Sequence, residues 1–296
     1  MSKLCPACDA EFVAPNWTCP SCGNEPVLSN GIRDLHGNGD RSGAFDAADS
    51  DNLASIEDNS VWFQSRNDLV RWVLSSRCGS AKTLLEIGCG NGYVLAGVQQ
   101  THPHLTLSGS ELSRHALTIA RERLSNAALY DFDARSIPFR AEFDVVCAFD
   151  VIEHIDQDVD VLRQMRMACA PAGMVVVTVP QHRLLWSESD TYAGHKRRYS
   201  RTDLLERMRA AGLTPTLVTS FASTALPLMA VSRSIERITR RPFDPGREHL
   251  QAQRANAILR RLYRLDLRLI RRGHSLRFGG SLLVGAQPST SVSAHD

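Results

Sequence analysis

The chain has 296 residues, of which 43% are hydrophobic and 22% are charged, and its formal net charge is +2 at pH 7. These proportions match ordinary globular chains and exclude a wholly disordered, collagen-like or coiled-coil protein. No apolar run approaches the ~18 residues that a membrane-spanning helix needs, and no apolar signal region precedes Cys5. We therefore expect a cytoplasmic protein.

The first thirty residues contain two Cys-x-x-Cys pairs, Cys5 with Cys8 and Cys19 with Cys22. Such pairs place four thiolates on two tight turns, which is the donor set for tetrahedral Zn²⁺. With no open coordination position, the zinc would be structural and would hold together a module too small for a core of its own. Residues 1–30 are therefore predicted to form a zinc ribbon, with a redox pair or an empty site as the alternatives.

Residues 31–59 are rich in Gly, Asp, Ser and Asn, which predicts an acidic, flexible linker. From Val61 to Leu74, apolar residues recur at intervals of three and four, which predicts an amphipathic helix that leads into the main domain. The main domain is expected to span residues 60–290, and residues 291–296 are expected to be a disordered tail.

From Thr83 onward, short apolar runs alternate with helical periodicities, the pattern of a doubly wound α/β sheet. Four helices are predicted in the body of the domain, at 93–100, 113–124, 159–169 and 201–211. Seven strands are predicted, at 83–87, 105–110, 128–131, 144–149, 174–179, 214–220 and 281–285. The expected fold is a Rossmann-like seven-stranded sheet with a small N-terminal zinc ribbon and a helical insertion at about 224–275, before the last strand.

The insertion carries much of the positive charge, because residues 233–272 contain twelve Arg against four acidic residues, a net charge of +8. Its second helical pattern is amphipathic, with Ile258, Leu262, Leu265 and Leu269 on one stripe and Arg260, Arg264, Arg268 and Arg271 on the opposite one. One interpretation is a helix packed on the domain with a solvated Arg face. The other is contact with an anionic membrane surface or a lipid-linked substrate, which would place the protein at the inner face of the membrane.

A glycine-rich loop follows the first strand of the main domain, with Gly88, Cys89, Gly90 and Gly92 directly before a helix. Glycines here let the backbone approach a ligand at the carboxyl end of the strand, where open α/β sheets bind ligands. Dinucleotide-binding loops have a different spacing, Gly-x-Gly-x-x-Gly. The spacing of this loop therefore argues against a dinucleotide ligand.

Acidic residues end the next strands in the same region of the chain. Glu111, followed by Leu112, lies about twenty residues beyond the glycines, where a carboxylate can accept hydrogen bonds from both ribose hydroxyls. Asp133 follows the third strand and Asp150 ends the fourth. Together with Glu86, these positions suit a nucleoside ligand that carries positive charge.

With these motifs, residues 61–285 resemble the class I S-adenosylmethionine-dependent methyltransferases. The stretch Ile152-Glu153-His154 is similar to that of ubiquinone-biosynthesis O-methyltransferases and their relatives. The chain also resembles bacterial methyltransferases with an N-terminal zinc ribbon, in which Trp62-Phe63, Arg66-Asn67 and residues 195–199 have counterparts. Its turn Pro171-Ala172-Gly173 departs from the usual Pro-Gly-Gly.

The resemblance implies that the cofactor is S-adenosylmethionine. Glu86 and the loop from Gly88 to Gly92 would hold its methionine end, Glu111 its ribose, and Asp133 with Ala134 its adenine. In the ubiquinone-biosynthesis enzymes, the residues that correspond to Asp150, Glu153 and His154 resemble a divalent-metal site. A capping role for Glu153 and His154 at the following helix is the alternative.

Methyl transfer requires that a nucleophile be held against the methyl group, with a base where a hydroxyl must lose its proton. The candidate bases are His154 after the fourth strand, His182 after the fifth, and Asp190 and His195 in the long polar loop that follows. Loops beyond strand ends are where substrates bind, although each of these residues could instead anchor the loop by a hydrogen bond.

The sequence therefore predicts a methyltransferase that acts on a small-molecule or lipid-linked acceptor, most often at oxygen. The alternative is a ribosomal or other RNA methyltransferase that uses the zinc ribbon as an RNA-binding module. Nucleic acid is the less favoured partner, because Lys3 is the ribbon's only Lys or Arg. A non-catalytic binding protein is a third interpretation, which the intact glycines and acidic positions disfavour.

Overall fold

The structure is a computed structural model that describes residues 2–36, 47–239 and 245–289. Twelve strands are present in these ranges: β1 Ser2–Leu4, β2 Glu11–Val13, β3 Leu28–Ser29, β4 Ile32–Asp34, β5 Thr83–Ile87, β6 Thr106–Ser110, β7 Ala127–Asp131, β8 Phe139–Arg140, β9 Phe143–Phe149, β10 Cys169–Pro180, β11 Leu213–Phe221 and β12 Ser281–Pro288. The predicted tail at 291–296 lies outside the described residues.

The described ranges also contain nine α-helices: α1 Ala47–Glu57, α2 Val61–Arg77, α3 Tyr93–Thr101, α4 Arg114–Arg123, α5 Asp158–Ala168, α6 Glu188–Tyr192, α7 Arg201–Ala210, α8 Leu226–Thr239 and α9 Pro245–Arg271. Among them, none is both long enough and apolar enough to cross a bilayer.

The central sheet has the order β11-β12-β10-β9-β5-β6-β7-β4-β3. Its strands from β10 to β4 pair in parallel, whereas β12 is antiparallel to both β10 and β11. The seven predicted strands correspond to β5, β6, β7, β9, β10, β11 and β12, so the predicted α/β fold with a mostly parallel sheet is confirmed. Because parallel strands end at one edge, the loops after β5, β6, β7, β9 and β10 meet there.

The described part of the predicted linker is ordered, so a flexible linker over residues 31–59 is wrong for these positions. Ile32–Asp34 adds to the sheet as a strand parallel to β7, and Ala47–Glu57 is a helix against α4. The Arg114 side chain binds Asp34 and Asp131, which ties this added strand to the body of the domain. The sequence did not predict this strand and this helix because each is short, polar and half-exposed.

The N-terminal module is packed on the main domain rather than tethered to it. Its strand β1 pairs with β2 and also with β8, which lies between β7 and β9 in the chain. Trp17 is buried, and its ring lies 5.6 Å from the ring of Phe139 and 6.1 Å from that of Tyr130. The module therefore shares one hydrophobic core with the sheet.

The helix α9 packs on α2 with a face that differs from the predicted one. Tyr263 and Ile270 are buried, whereas Ile258 and Leu265, both assigned to the buried stripe, are exposed. Asp266 fixes which face of α9 is buried. It lies on the same face as Tyr263 and Ile270, and its carboxylate accepts hydrogen bonds from the backbone N–H groups of Ser223 and Thr224. A hydrophobic periodicity could not reveal a buried carboxylate.

We predict that Trp17→Ala destabilises the whole main domain and not only the N-terminal module. Removal of a buried indole from a shared core should lower the free energy of unfolding by about 3 to 5 kcal/mol. Urea unfolding followed by circular dichroism measures the change, with Val13→Ala, at an exposed position of the same module, as the matched control. A main transition that does not move in Trp17→Ala would contradict the shared core.

Candidate functional site

The glycine-rich loop after β5 has a backbone that other residues could not adopt without strain. Gly88, Gly90 and Gly92 have positive φ angles of 65°, 51° and 73°. A Cβ at Gly88 would come within 2.6 Å of the Val151 side chain, whereas a Cβ at Gly90 would meet no described heavy atom within 4 Å. The loop is thus closed on one side and open at Gly90, where a ligand can approach the backbone.

The other loop residues hold this geometry in place. The backbone N–H of Cys89 donates to the Ser110 carbonyl at 2.8 Å, which fixes the loop to the end of β6. The Cys89 side chain is buried beneath Gly109, and burial raises the pKa of its thiol. Only the backbone of Cys89 can therefore reach a ligand.

Glu86, at the end of β5, is almost fully buried, and its Oε2 atom has no hydrogen-bond partner within the described structure. Burial raises the pKa of this carboxyl group to about 8, although the nearby Arg66 charge acts in the opposite direction. An orphaned buried carboxyl oxygen is unusual and marks a place where a cationic or hydrogen-bonding ligand would be stabilised.

Glu111 lies at the end of β6 and faces the glycine loop. Its carboxylate accepts hydrogen bonds from the backbone N–H groups of Gly90 at 3.2 Å, Leu112 at 2.7 Å and Ser113 at 3.1 Å. Burial raises the pKa of Glu111, and these three bonds lower it in part. The carboxylate is therefore held beside Gly90, where the loop is open.

Asp133 and Ala134 follow β7 and are largely buried. The Asp133 carboxylate accepts hydrogen bonds from the backbone and side chain of Arg135, with side-chain N–O distances of 2.5 to 3.0 Å. A ligand amino group at this carboxylate would thus share it with Arg135.

Arg66 of α2, which the sequence marked only through its counterparts in similar methyltransferases, pairs with Asp150. Its Nη1 donates to Asp150 Oδ2 at 2.5 Å, and its guanidinium lies 4.8 Å from the ring of Trp62 and 5.2 Å from that of Phe63. Asp150, at the end of β9, has a left-handed backbone with φ of 58°. Arg66 is buried and lowers the pKa values of Glu86 and Glu153, against the larger effect of burial.

The helix α1 packs beside the glycine loop. The Asn91 side chain in that loop donates to the Ser50 carbonyl at 2.9 Å, and Arg123 binds Glu57 at 2.6 Å and the Asn91 carbonyl at 3.2 Å. The segment predicted as a linker thus contributes to the wall of the candidate site.

Glu153, His154 and His195 come together beyond the ends of β9 and β10. Glu153 is fully buried, and neither of its carboxyl oxygens has a hydrogen-bond partner among the described residues. The rings of His154 and His195 have centroids 4.7 Å apart, and His195 Nε2 lies 4.0 Å from Glu153 Oε1. One donor atom from each residue lies within 4.8 Å of the others, so the group has the spacing to hold a metal ion.

Asp190 orients His195 from the other side. Its Oδ1 lies 2.8 Å from His195 Nδ1 and 2.8 Å from Arg198 Nε. Burial would raise the pKa of Asp190, but the hydrogen bonds from His195 and Arg198 lower it to about 2. The carboxylate stays ionised at neutral pH, so it accepts the hydrogen bond from His195 Nδ1 and fixes the ring with Nε2 on the far side.

The expectation that Glu153 and His154 cap the next helix is wrong. Both belong to a 3₁₀ helix at Ile152–His154, and the residue that caps α5 is Gln157. The His154 ring instead hydrogen-bonds to the backbone at Ala193 and Gly194, and burial lowers its pKa to about 4. The predicted metal site consisted of Asp150, Glu153 and His154. In the structure Asp150 is paired with Arg66, and the third residue beside Glu153 and His154 is His195.

His182 is the fourth predicted candidate base, and it makes different contacts. It follows β10 with a left-handed backbone, φ 64°, and its ring stacks on Phe278 with centroids 5.8 Å apart. Its pKa is lowered by burial and by the charge of Arg198. The geometry groups His195 with Asp190, Glu153 and His154, and leaves His182 at the rim beside an exposed aromatic ring.

The four N-terminal cysteines also converge. The Sγ atoms of Cys5 and Cys22 are 3.6 Å apart, those of Cys8 and Cys19 are 3.8 Å apart, and all four lie within 4.8 Å of one another. A tetrahedron with Zn–S bonds of about 2.3 Å has sulfur atoms about 3.8 Å apart. The two turns repeat one backbone pattern, because the N–H of Asp9 bonds to the Cys5 carbonyl and the N–H of Gly23 to the Cys19 carbonyl, both at 2.9 Å.

A family model described as a methyltransferase domain matches residues 62–218, just over half of the chain. A ubiquinone biosynthesis O-methyltransferase of Azoarcus sp. strain BH72 is 31% identical over 111 residues, which cover 35% of this chain and 46% of that protein. A protein of Mycolicibacterium smegmatis named a probable S-adenosylmethionine-dependent methyltransferase is 25% identical over 166 residues, or 54% and 62% of the two chains.

The chain spans about half the length of the curated relatives it matches. Among solved structures, it is similar to a chain from the complex of the Haloferax volcanii Trm112 methyltransferase activator with a methyltransferase. The TM-score is 0.53 at 19% identity, over 82% of this chain and 96% of the other. This similarity supports the fold.

We predict that Glu86 makes the stability of the ligand-free protein fall as the pH rises. The folded protein keeps this carboxyl protonated up to about pH 8, whereas the unfolded chain loses the proton near 4.5, so the stabilisation is full below 4.5 and is lost as pH rises through 8. Glu86→Gln cannot ionise and should escape the loss, which is on the order of 5 kcal/mol for a pKa difference of this size.

Urea unfolding of the wild type and Glu86→Gln across this pH range measures the effect. Glu122→Gln, at an exposed position of α4, serves as the control and should follow the wild type. Parallel stability curves for the wild type and Glu86→Gln would show that Glu86 ionises normally in the folded protein.

Proposed function

This chain belongs to the methyltransferase-domain family, and on that premise we propose that it transfers a methyl group from S-adenosylmethionine to a hydroxyl oxygen of a small-molecule or lipid-linked acceptor. The observation that carries the proposal is the position of the His195–Asp190 pair, which lies beyond the same edge of the sheet as the glycine loop and Glu111. One group of residues can bind the cofactor, and the other can accept a proton from a hydroxyl.

The cofactor would be held by residues at the ends of β5, β6 and β7. Glu86, with its orphaned oxygen, would receive the amino group at the methionine end beside Gly88 to Gly92. Glu111 would accept hydrogen bonds from the ribose hydroxyls at the open position beside Gly90. Asp133 and the backbone of Ala134 would border the adenine.

When bound, the cofactor supplies a methyl group on a positively charged sulfur, which is open to attack by a nucleophile. The residues of this chain contribute position and proton transfer. Asp190 orients His195, and His195 Nε2 accepts the proton of the acceptor hydroxyl. His154 stays neutral near pH 7 because its pKa is about 4, so it adds no positive charge beside His195.

The N-terminal module supports a structural role better than RNA binding. Lys3, its one basic side chain, is buried and donates to the carbonyls of Ala14 at 2.7 Å and Asn16 at 2.9 Å. It therefore offers no charge to a phosphate. We propose that Cys5, Cys8, Cys19 and Cys22 bind one structural Zn²⁺, since their sulfur spacing fits a tetrahedral site.

Transfer of labelled methyl from S-adenosylmethionine into a cell extract tests the acceptor class. The extract is separated into small-molecule, lipid, RNA and protein fractions after the reaction. Label in the small-molecule or lipid fraction supports the proposal. The stability of the labelled product to acid and base then shows whether the methyl group is bound to oxygen, as in an ether or an ester. Label in RNA, or in no fraction, contradicts it.

We predict that His195→Ala lowers kcat by a factor of about 10² to 10⁴, the range for loss of a general base, and leaves the affinity for S-adenosylhomocysteine unchanged. His104→Ala, at an exposed position before β6, is the control and should behave as the wild type. The activity that remains in His195→Ala should rise with pH, because hydroxide replaces the base.

Treatment with a chelator distinguishes a general base at His195 from a metal site formed by the same residues. Activity that persists after removal of divalent cations supports His195 as a base. Activity that is abolished by chelation and restored by Mg²⁺ would instead make Glu153, His154 and His195 metal ligands and would contradict the prediction.

For the cysteines, we predict that Cys19→Ser loses the metal and destabilises the protein. Metal analysis of the wild type should give one zinc per chain, and Cys19→Ser should give much less. Cys169→Ser, at a buried cysteine of β10 outside the cluster, should keep the zinc. A wild-type protein without zinc, or a Cys19→Ser variant that retains it, would remove the assignment.

A further inference from the structure

The helix α8 presents large apolar side chains to solvent. Leu228, Val231, Ile235 and Ile238 are between 50% and 81% exposed. They are separated by three, four and three residues, so they form one face of the helix. Single exposed apolar residues are common, but a continuous stripe of four is typical of a surface that binds a membrane or another protein.

Further exposed apolar groups lie beside this stripe. The helix α8 lies against the 3₁₀ helix Arg183–Leu185, in which Leu184 is 81% exposed. The side chain of Met229 in α8 covers Gly280, two residues from Phe278, which is 64% exposed. We call the four α8 residues with Leu184 and Phe278 the apolar surface.

The apolar surface adjoins the end of β10, where the candidate site lies. The ring of Phe278 stacks on His182, and Gln181 before it donates from its backbone to the Gly280 carbonyl at 2.9 Å. Whatever covers the apolar surface is thus next to the loops that would receive the acceptor.

Exposed positive charges lie beside the apolar surface, and α8 itself contains one acidic residue, Glu236. Arg183 and Arg277 are exposed beside Leu184 and Phe278. In residues 256–277 the sole acidic residue is Asp266, and it is buried against the backbone at Ser223 and Thr224. The exposed charges of that stretch are therefore all positive, and on α9 they belong to Arg260, Arg261, Arg264, Arg268 and Arg271.

We propose that the apolar surface inserts into the interfacial layer of an anionic lipid bilayer, with the surrounding arginines bound to lipid phosphates. An exposed apolar helix face flanked by positive charge matches such a layer, which is apolar below and negatively charged above. The inference deepens the proposed function, because it brings a lipid-linked acceptor to the end of β10. It does not require that transfer occur.

Vesicle co-sedimentation without cofactor or acceptor tests this proposal. The full-length protein should bind phosphatidylcholine vesicles that contain about 30% phosphatidylglycerol, and should bind pure phosphatidylcholine much less. The double variant Val231→Asp/Ile238→Asp should lower the partition coefficient at least about tenfold, because two apolar side chains can no longer enter the lipid. About 0.5 M salt should also weaken binding by screening the arginines.

Leu28→Asp is the matched control. Leu28 is as exposed as Val231, at 58%, but lies in β3 at the opposite edge of the sheet, so this variant should bind vesicles like the wild type. Circular dichroism and melting temperature confirm that each variant is folded.

Two results would overturn the proposal. One is vesicle binding that is absent, or equal in the wild type and the double variant. The other is a wild-type dimer that the double variant dissociates, with no binding to vesicles, which would assign the surface to a second copy of the chain. Either result leaves the label-transfer experiment to decide the proposed function on its own.

Discussion

The ion pair between Arg66 and Asp150 is the interaction on which the arrangement of the candidate site depends. It joins α2 to the end of β9, two segments that are 84 residues apart in the chain. It also places a buried positive charge among acidic groups that the fold removes from water, including Glu86 and Glu153. A buried charge is tolerated only when it is paired, so loss of either partner would leave the other uncompensated at the centre of the site.

Near this pair, the residues that follow three strands have strained backbone conformations, which the rest of the fold stabilises. Asp150, His182 and Ala222 follow β9, β10 and β11, and each has a left-handed backbone although none is glycine. Such conformations cost about 1 to 3 kcal/mol each and concentrate at functional sites. The adjacent strands are long and well paired, and the N-terminal module extends the same core through Trp17. The stability of the sheet thus holds the loops in conformations that they would not adopt alone.

The sequence was sufficient to predict the sheet, the glycine loop and the cysteine cluster, because each depends on local periodicity or on fixed spacing. It failed for the segment around Ile32 and α1, whose short polar elements are stabilised by contacts with β7 and α4 and not by their own propensity. The register of α9 was also missed, because buried Asp266 overrides the hydrophobic pattern. Arg66 and the pairing of His195 with Asp190 are contacts between distant or irregular segments, which no periodicity encodes.

The central claim is that the edge of the sheet beside the glycine loop binds S-adenosylmethionine, with Glu111 at its ribose. Titration calorimetry with S-adenosylhomocysteine tests it directly. Glu111→Ala should weaken binding by about 2 to 3 kcal/mol, or roughly 30- to 150-fold, since two charge-assisted hydrogen bonds are lost, whereas Glu122→Ala on the exposed face of α4 should not. A folded Glu111→Ala protein with wild-type affinity would contradict the account.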